Sequence, residues 1–146
     1  VSLKRLSNEG KLEKKLVSKE EIEKLFKMVE RDLKDSNVKA ISADRRFATA
    51  YNAALQLSTI IIRLNGYRTR GAGHHYSTFL VLKVLLGKDF EEISDYFDAC
   101  RAKRNITDYV SANVVSEPDV EELIGEINRF KNTVIIKAKE KFPEIK

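Results

Sequence analysis

The stretch SADRRFATAYNAALQLSTIIIRLNG, residues 42–66, decides the fold class. Phe47, Ala50, Tyr51, Ala54, Leu55, Ser58, Ile61 and Ile62 recur every three or four positions, the period of one helix face. Its alanines allow a neighbouring helix to come close. Asn65 and Gly66 end it, because both residues tolerate the left-handed conformation of a helix C-cap. The same period continues on either side. Ser18 to Asp35 opens with a Ser18-x-x-Glu21 capping box, and Ile22, Leu25, Phe26, Val29 and Leu33 share a face. A third helix is predicted from about His74 to Leu86, with Gly87 as its cap. It is apolar on nearly every side, which places it at the centre of a bundle. A fourth starts at Asp89, with Glu92 in the capping-box position, and passes Ile93, Phe97, Cys100, Arg104 and Tyr109 toward Asn113. A fifth follows Ser116-Glu117-Pro118, where proline suits the first turn, and Pro143 stops it. The predicted fold is all-α, an up-down bundle of four to five helices. A buried strand over Phe79–Leu86 is the rival reading, but no second strand is evident to pair with it.

A chain of 146 residues fits one domain: an N-terminal arm over 1–17 and a single bundle over 18–146. The arm reads as loosely packed or as a short extra helix. No run of about 18 apolar residues exists, so no transmembrane helix is expected. The first 17 residues lack the apolar core of a signal peptide, and a cytoplasmic location is expected. Cys100 is the single cysteine, which excludes an internal disulfide and a cysteine-only zinc site.

Charge is distributed unevenly. No Asp or Glu lies between Asp44 and Asp89, a stretch that carries Arg45, Arg46, Arg63, Arg68, Arg70, Lys83 and Lys88. An acid-free basic block in a chain otherwise rich in acids suggests an anionic partner. Burial of the second helix explains the missing acids of Phe47–Leu64 equally well.

Two clusters could carry chemistry. In the first, Gly66, Gly71 and Gly73 flank Arg68 and Arg70 and lead into His74 and His75 at a helix N-terminus. Backbone N–H groups and the helix dipole there favour an anion such as phosphate. In the second, Arg101, Arg104 and Asp108 follow the helical spacing, with Lys103, Asn105 and Tyr109 beside them. An ordinary connection with exposed arginines and a solvated ion-pair face are the plain readings of the two. If the third and fourth helices are antiparallel about Gly87-Lys88, both clusters lie about 20 Å from the turn, at one end of the bundle. Adjacent histidines diverge on a helix and cannot chelate as an i, i+4 pair does, so no metal or other cofactor is expected.

Ala50-Tyr51-Asn52-Ala53-Ala54, Gly66-Tyr67-Arg68, Gly73-His74-His75 and Arg101-Ala102-Lys103-Arg104-Asn105 with Tyr109 come in an order that resembles the HEPN superfamily (higher eukaryotes and prokaryotes nucleotide-binding), in a small prokaryotic stand-alone form. The resemblance spans roughly Ser18 to Pro143. It implies a homodimer and, in many members, metal-independent ribonuclease activity of the toxin–antitoxin kind. Other members bind RNA, a nucleotide or a partner protein without catalysis, the partner being an antitoxin or a minimal nucleotidyltransferase. The family's ribonuclease motif is an Arg, often with a polar residue such as Asn after it, and then a His four to six positions on. Arg104 and Asn105 match; no histidine follows, and Tyr109 stands in its place. Tyrosine, with a pKa of about 10, is a poor base at neutral pH. Either His74 or His75 supplies the imidazole from the neighbouring helix, or the basic cleft binds without cleaving. The candidate catalytic residues are therefore Arg104, His75, His74 and Arg101. Candidate contacts to phosphate or RNA are Asn105, Arg68, Arg70, Lys103 and Tyr109.

Overall fold

A computed structural model describes residues 2–71, 74–109 and 114–145, the side chains at 74 and 106–109 excepted. It is an all-α bundle. Its elements are α1 (Leu3–Asn8), β1 (Leu12–Lys14), α2 (Lys19–Ser36), α3 (Ala43–Leu64), β2 (Tyr67–Thr69), α4 (His74–Leu86), a 3-10 turn (Lys88–Phe90), α5 (Glu91–Tyr109) and α6 (Glu117–Lys141). No helix among the described residues is long and apolar enough to cross a membrane.

The helix ends follow local chemistry. The Ser18, Ser42 and Ser116 hydroxyls each accept an N–H of the first turn. At Ser116 the box is complete, because the Asp119 carboxylate accepts the Ser116 N–H in return. At Ser18 it stays half-made: Glu21 spends its carboxylate on Arg63 of α3. The expected box at Asp89 and Glu92 is absent. Gly87, at φ +76°, starts the 3-10 turn instead, and α5 begins at Glu91. The α3 C-cap forms as its sequence suggests, with Gly66 at φ +82° and the Asn65 side chain donating to the Ile61 carbonyl at 2.8 Å.

Helix α3, rather than α4, is the centre of the bundle. Arg45 is its only exposed residue. By contrast α4 leaves Tyr76 45% and Val84 37% exposed. Side-chain pairs fix the helix directions. Arg46 meets Glu117 and Glu121, so α3 and α6 start at the same end. Arg63 meets Glu21 at the start of α2, so α2 and α3 are antiparallel. Lys83–Asp95 and Phe79–Phe97 make α4 and α5 antiparallel. Lys103–Asp119 and Phe97–Phe130 do the same for α5 and α6. Direction alternates along the chain except from α3 to α4, which run the same way.

The link between α3 and α4 contains β2, and its partner is the N-terminal arm. β1 pairs with β2 antiparallel, Leu12 opposite Thr69, Glu13 opposite Arg68 and Lys14 opposite Tyr67. The arm is thus firmly docked: Leu6 and Leu12 are buried in one apolar cluster with Ile62 of α3 and Val81 of α4. The short helix was expected; the strand, which carries the docking, was not.

Candidate functional site

Antiparallel packing of α4 on α5 sets the register. Lys83 lies 2.5 Å from Asp95, and about two turns on, the Arg101 guanidinium sits 5.3 Å from the Tyr76 ring centre. His75 is therefore level with the stretch that carries Arg104. Both reach the same core side chain. The Tyr51 ring of α3 has the Arg104 guanidinium over it at 5.4 Å and the His75 ring at 6.2 Å, tilted by 48°. Phe79 closes the third side at 6.1 Å, edge-on. His75 and Arg104 are half-buried, while Tyr51 is fully buried.

Four of the basic candidates are paired with carboxylates. Glu13 of β1 takes both Arg68 and Arg70, the latter at 2.8 Å. The two guanidinium groups hold its carboxyl below the usual carboxylate range, with Arg70 the larger influence. Asp98 pairs with Arg101 at 2.8 Å, and Asp119 with Lys103 at 2.8 Å. The hydrogen bond from Lys103 and the cap bonds of Ser116 pull the Asp119 carboxyl down to about 2. The reading of the two clusters as a basic focus in which Asp108 is the one carboxylate is accordingly corrected: Glu13, Asp98 and Asp119 belong to it as well.

Much of the acid-free block of the sequence is likewise paired, with carboxylates from outside it. Arg46 and Arg63 are interior residues with structural partners. The Arg46 guanidinium donates to the Ser36 carbonyl at 2.8 Å and to Glu117 and Glu121 of α6. Arg63 donates to the Lys15, Leu16 and Tyr67 carbonyls at 2.9, 2.7 and 2.8 Å, and to Glu21 at 2.5 Å. Lys83 pairs with Asp95.

No family model, curated protein or solved structure matches this chain. The site must be read from its own geometry.

Of the remaining candidates, Asn105 is half-buried directly after Arg104. The His74 and Tyr109 side chains lie outside the described residues, as does the Arg104–Asp108 ion pair that the spacing suggests. Cys100 lines no reactive site: burial pushes its thiol up to about 12, far above where a thiolate nucleophile works. Among the described residues no group of three or more His, Cys, Asp or Glu could hold a metal ion. Tyr51 is the residue the sequence reading passed over as a core position. Its signal was a polar-tipped ring on an otherwise apolar stripe, set between alanines.

What this arrangement can do follows from the residue types. An arginine offers a forked donor to a phosphate, and a neutral imidazole can move a proton near pH 7. Here both are held against one rigid ring.

Proposed function

We propose that the chain is a HEPN-like RNA-binding protein, and that two copies together form a metal-independent endoribonuclease acting in the cytoplasm. The carrying observation is that His75 and Arg104, from different helices, meet on the Tyr51 ring. That placement supports His75 as the imidazole that the Arg104 segment lacks. Exposed Tyr76 and Val84 on the outer side of α4 support a surface that a second copy covers.

In the reaction, an RNA 2′-hydroxyl attacks the adjacent phosphorus and the bond from phosphorus to the 5′ oxygen breaks. One imidazole takes the 2′ proton, and the imidazole of a second copy gives a proton to the leaving 5′ oxygen. Arg104 stabilises the negative charge that grows on the phosphorane oxygens, and Asn105 helps position the phosphate. The products are a 2′,3′-cyclic phosphate and a 5′-hydroxyl end.

The test is RNA cleavage by the purified protein with and without EDTA, beside Arg104→Ala and His75→Ala. EDTA-resistant cleavage lost in both variants, with melting temperatures retained, is expected. Cleavage that persists undiminished in both overturns the reading.

A second reading rests on the four candidate cations already paired with Glu13, Asp98 and Asp119. Under it the chain is a non-catalytic module that dimerises or binds a partner protein such as an antitoxin or a nucleotidyltransferase. No cleavage of several RNAs at concentrations where the protein is dimeric would favour it.

A further inference from the structure

The Tyr51 side chain lies wholly inside the protein, yet its hydroxyl has no hydrogen-bond partner among the described residues. A buried hydroxyl without a partner is costly, and phenylalanine would fill the same space without that cost. Ser58, a buried hydroxyl two turns further along α3, is by contrast satisfied by the Ala54 carbonyl at 2.9 Å.

The position of the hydroxyl is informative. The Arg104 guanidinium of α5 lies 5.4 Å from the centre of the ring that bears it, and the His75 ring of α4 6.2 Å from that centre, so the hydroxyl belongs to the same site as both. Burial pushes its pKa well above that of a free phenol, so it stays protonated and is a donor at any physiological pH.

We infer that the Tyr51 hydroxyl is a third ligand-binding group of this site, donating a hydrogen bond to a phosphoryl oxygen held by Arg104 and His75. The inference rests on the reading of the site as a phosphate-binding one and deepens it. Only the half-buried side chains of Arg104 and His75 are required to yield. Arg104 is not a free cation, and phosphate competes with the contacts it already makes, its place over the ring among them; a bidentate pair with phosphate is the stronger bond. An arriving phosphate thus draws Arg104 off the ring and uncovers the donor beneath it. The ring then stays as the floor of the site, and the hydroxyl gains the partner it lacks.

The experiment compares wild type, Tyr51→Phe and Arg104→Ala, with inorganic phosphate as the probe. Tyrosines carry a carbon-13 label at the ζ position, and the Tyr51 signal is the one missing from Tyr51→Phe. In wild type, phosphate should shift the Tyr51 signal saturably, and the shift should vanish in Arg104→Ala. Phosphate affinity should fall about tenfold in Tyr51→Phe, the usual weight of one bond to a charged group. The melting temperature of Tyr51→Phe should equal or exceed that of wild type. Equal phosphate affinity in wild type and Tyr51→Phe, or no saturable shift of Tyr51, overturns the inference.

RNA cleavage measured on the same three proteins separates this inference from the nuclease reading. Cleavage lost in Arg104→Ala but intact in Tyr51→Phe leaves the nuclease standing and removes Tyr51 from it. The expected phosphate behaviour without any RNA cleavage keeps the Tyr51 site and removes the nuclease.

Discussion

Replacing Arg63 with alanine tests whether the interior arginines are structural. The side chain is 5% exposed and ties three segments to the end of α3. Its loss leaves the carbonyls of Lys15, Leu16 and Tyr67 without their donor. Each such loss costs about 1 kcal/mol when the group is partly buried. The Glu21 pair adds little, about 0.5 kcal/mol, because that carboxylate is 37% exposed and water can replace the arginine. Removing the packed stem adds a further loss of about 1 kcal/mol. Together these come to about 4.5 kcal/mol. For a chain of this size that lowers the melting temperature by about 9–18 °C. Arg63→Lys should recover less than half, since an ammonium cannot reach three carbonyls and a carboxylate in one plane. Urea denaturation gives the free energy directly. The Arg63 hydrogen bond holds the Glu21 carboxyl below its ordinary value of 4.5. The stabilisation from that pair is therefore present above pH 4.5 and fades as the pH falls through the lowered value. An Arg63→Ala protein within 1 kcal/mol of wild type at pH 7 would refute the reasoning, and would return this arginine to the candidates for an anionic ligand.

Asp119→Ala removes the α6 capping box and should cost about 1 kcal/mol at pH 7. Its carboxyl sits at about 2 in the folded protein, so the gap to wild type, followed by melting, should persist at pH 5 and close as the pH falls from 4 to 2. Leu12→Ala should cost about 3 kcal/mol, since Leu12 is 2% exposed and holds the arm on Ile62 and Val81. Limited proteolysis should then cut within residues 9–16 well before the bundle. Cys100 should resist a disulfide reagent at pH 8 in the native protein and react at once in urea, because only unfolding exposes the thiol and lowers its pKa.

The helices were legible because their signals are local. Residues three and four apart share a face, and each serine cap lies next to the turn it closes. The span of α3 and the cap at Asn65 and Gly66 follow from this alone. The charge pairs were not legible because their partners are remote. Arg46 meets Glu117 across 71 positions, Arg63 meets Glu21 across 42 and Arg68 meets Glu13 across 55. A window that sees only residues 45–88 finds seven cations and no acids. One clue was present: Arg46 lies four residues before Ala50, on the extension of the apolar stripe. The strand β1 escaped for a related reason. Three residues carry too little period to announce a strand, and its partner β2 lies in a connection between helices. The meeting of His75 with Arg104 was within reach, because a short turn at Gly87 fixes how two antiparallel helices align. The ring between them was not, since it comes from a third helix.

The enclosure of α3 has a dynamic consequence. A helix on a protein surface loses amide protons from its wet side by small local fluctuations. α3 has no wet side: α2, α4, α5 and α6 cover it, and β2 covers its end. Its amides from Ala50 to Ile62 can exchange with solvent only when those neighbours separate. Their protection therefore measures the opening of the entire bundle, while α1 and the strand pair report only the lifting of the arm.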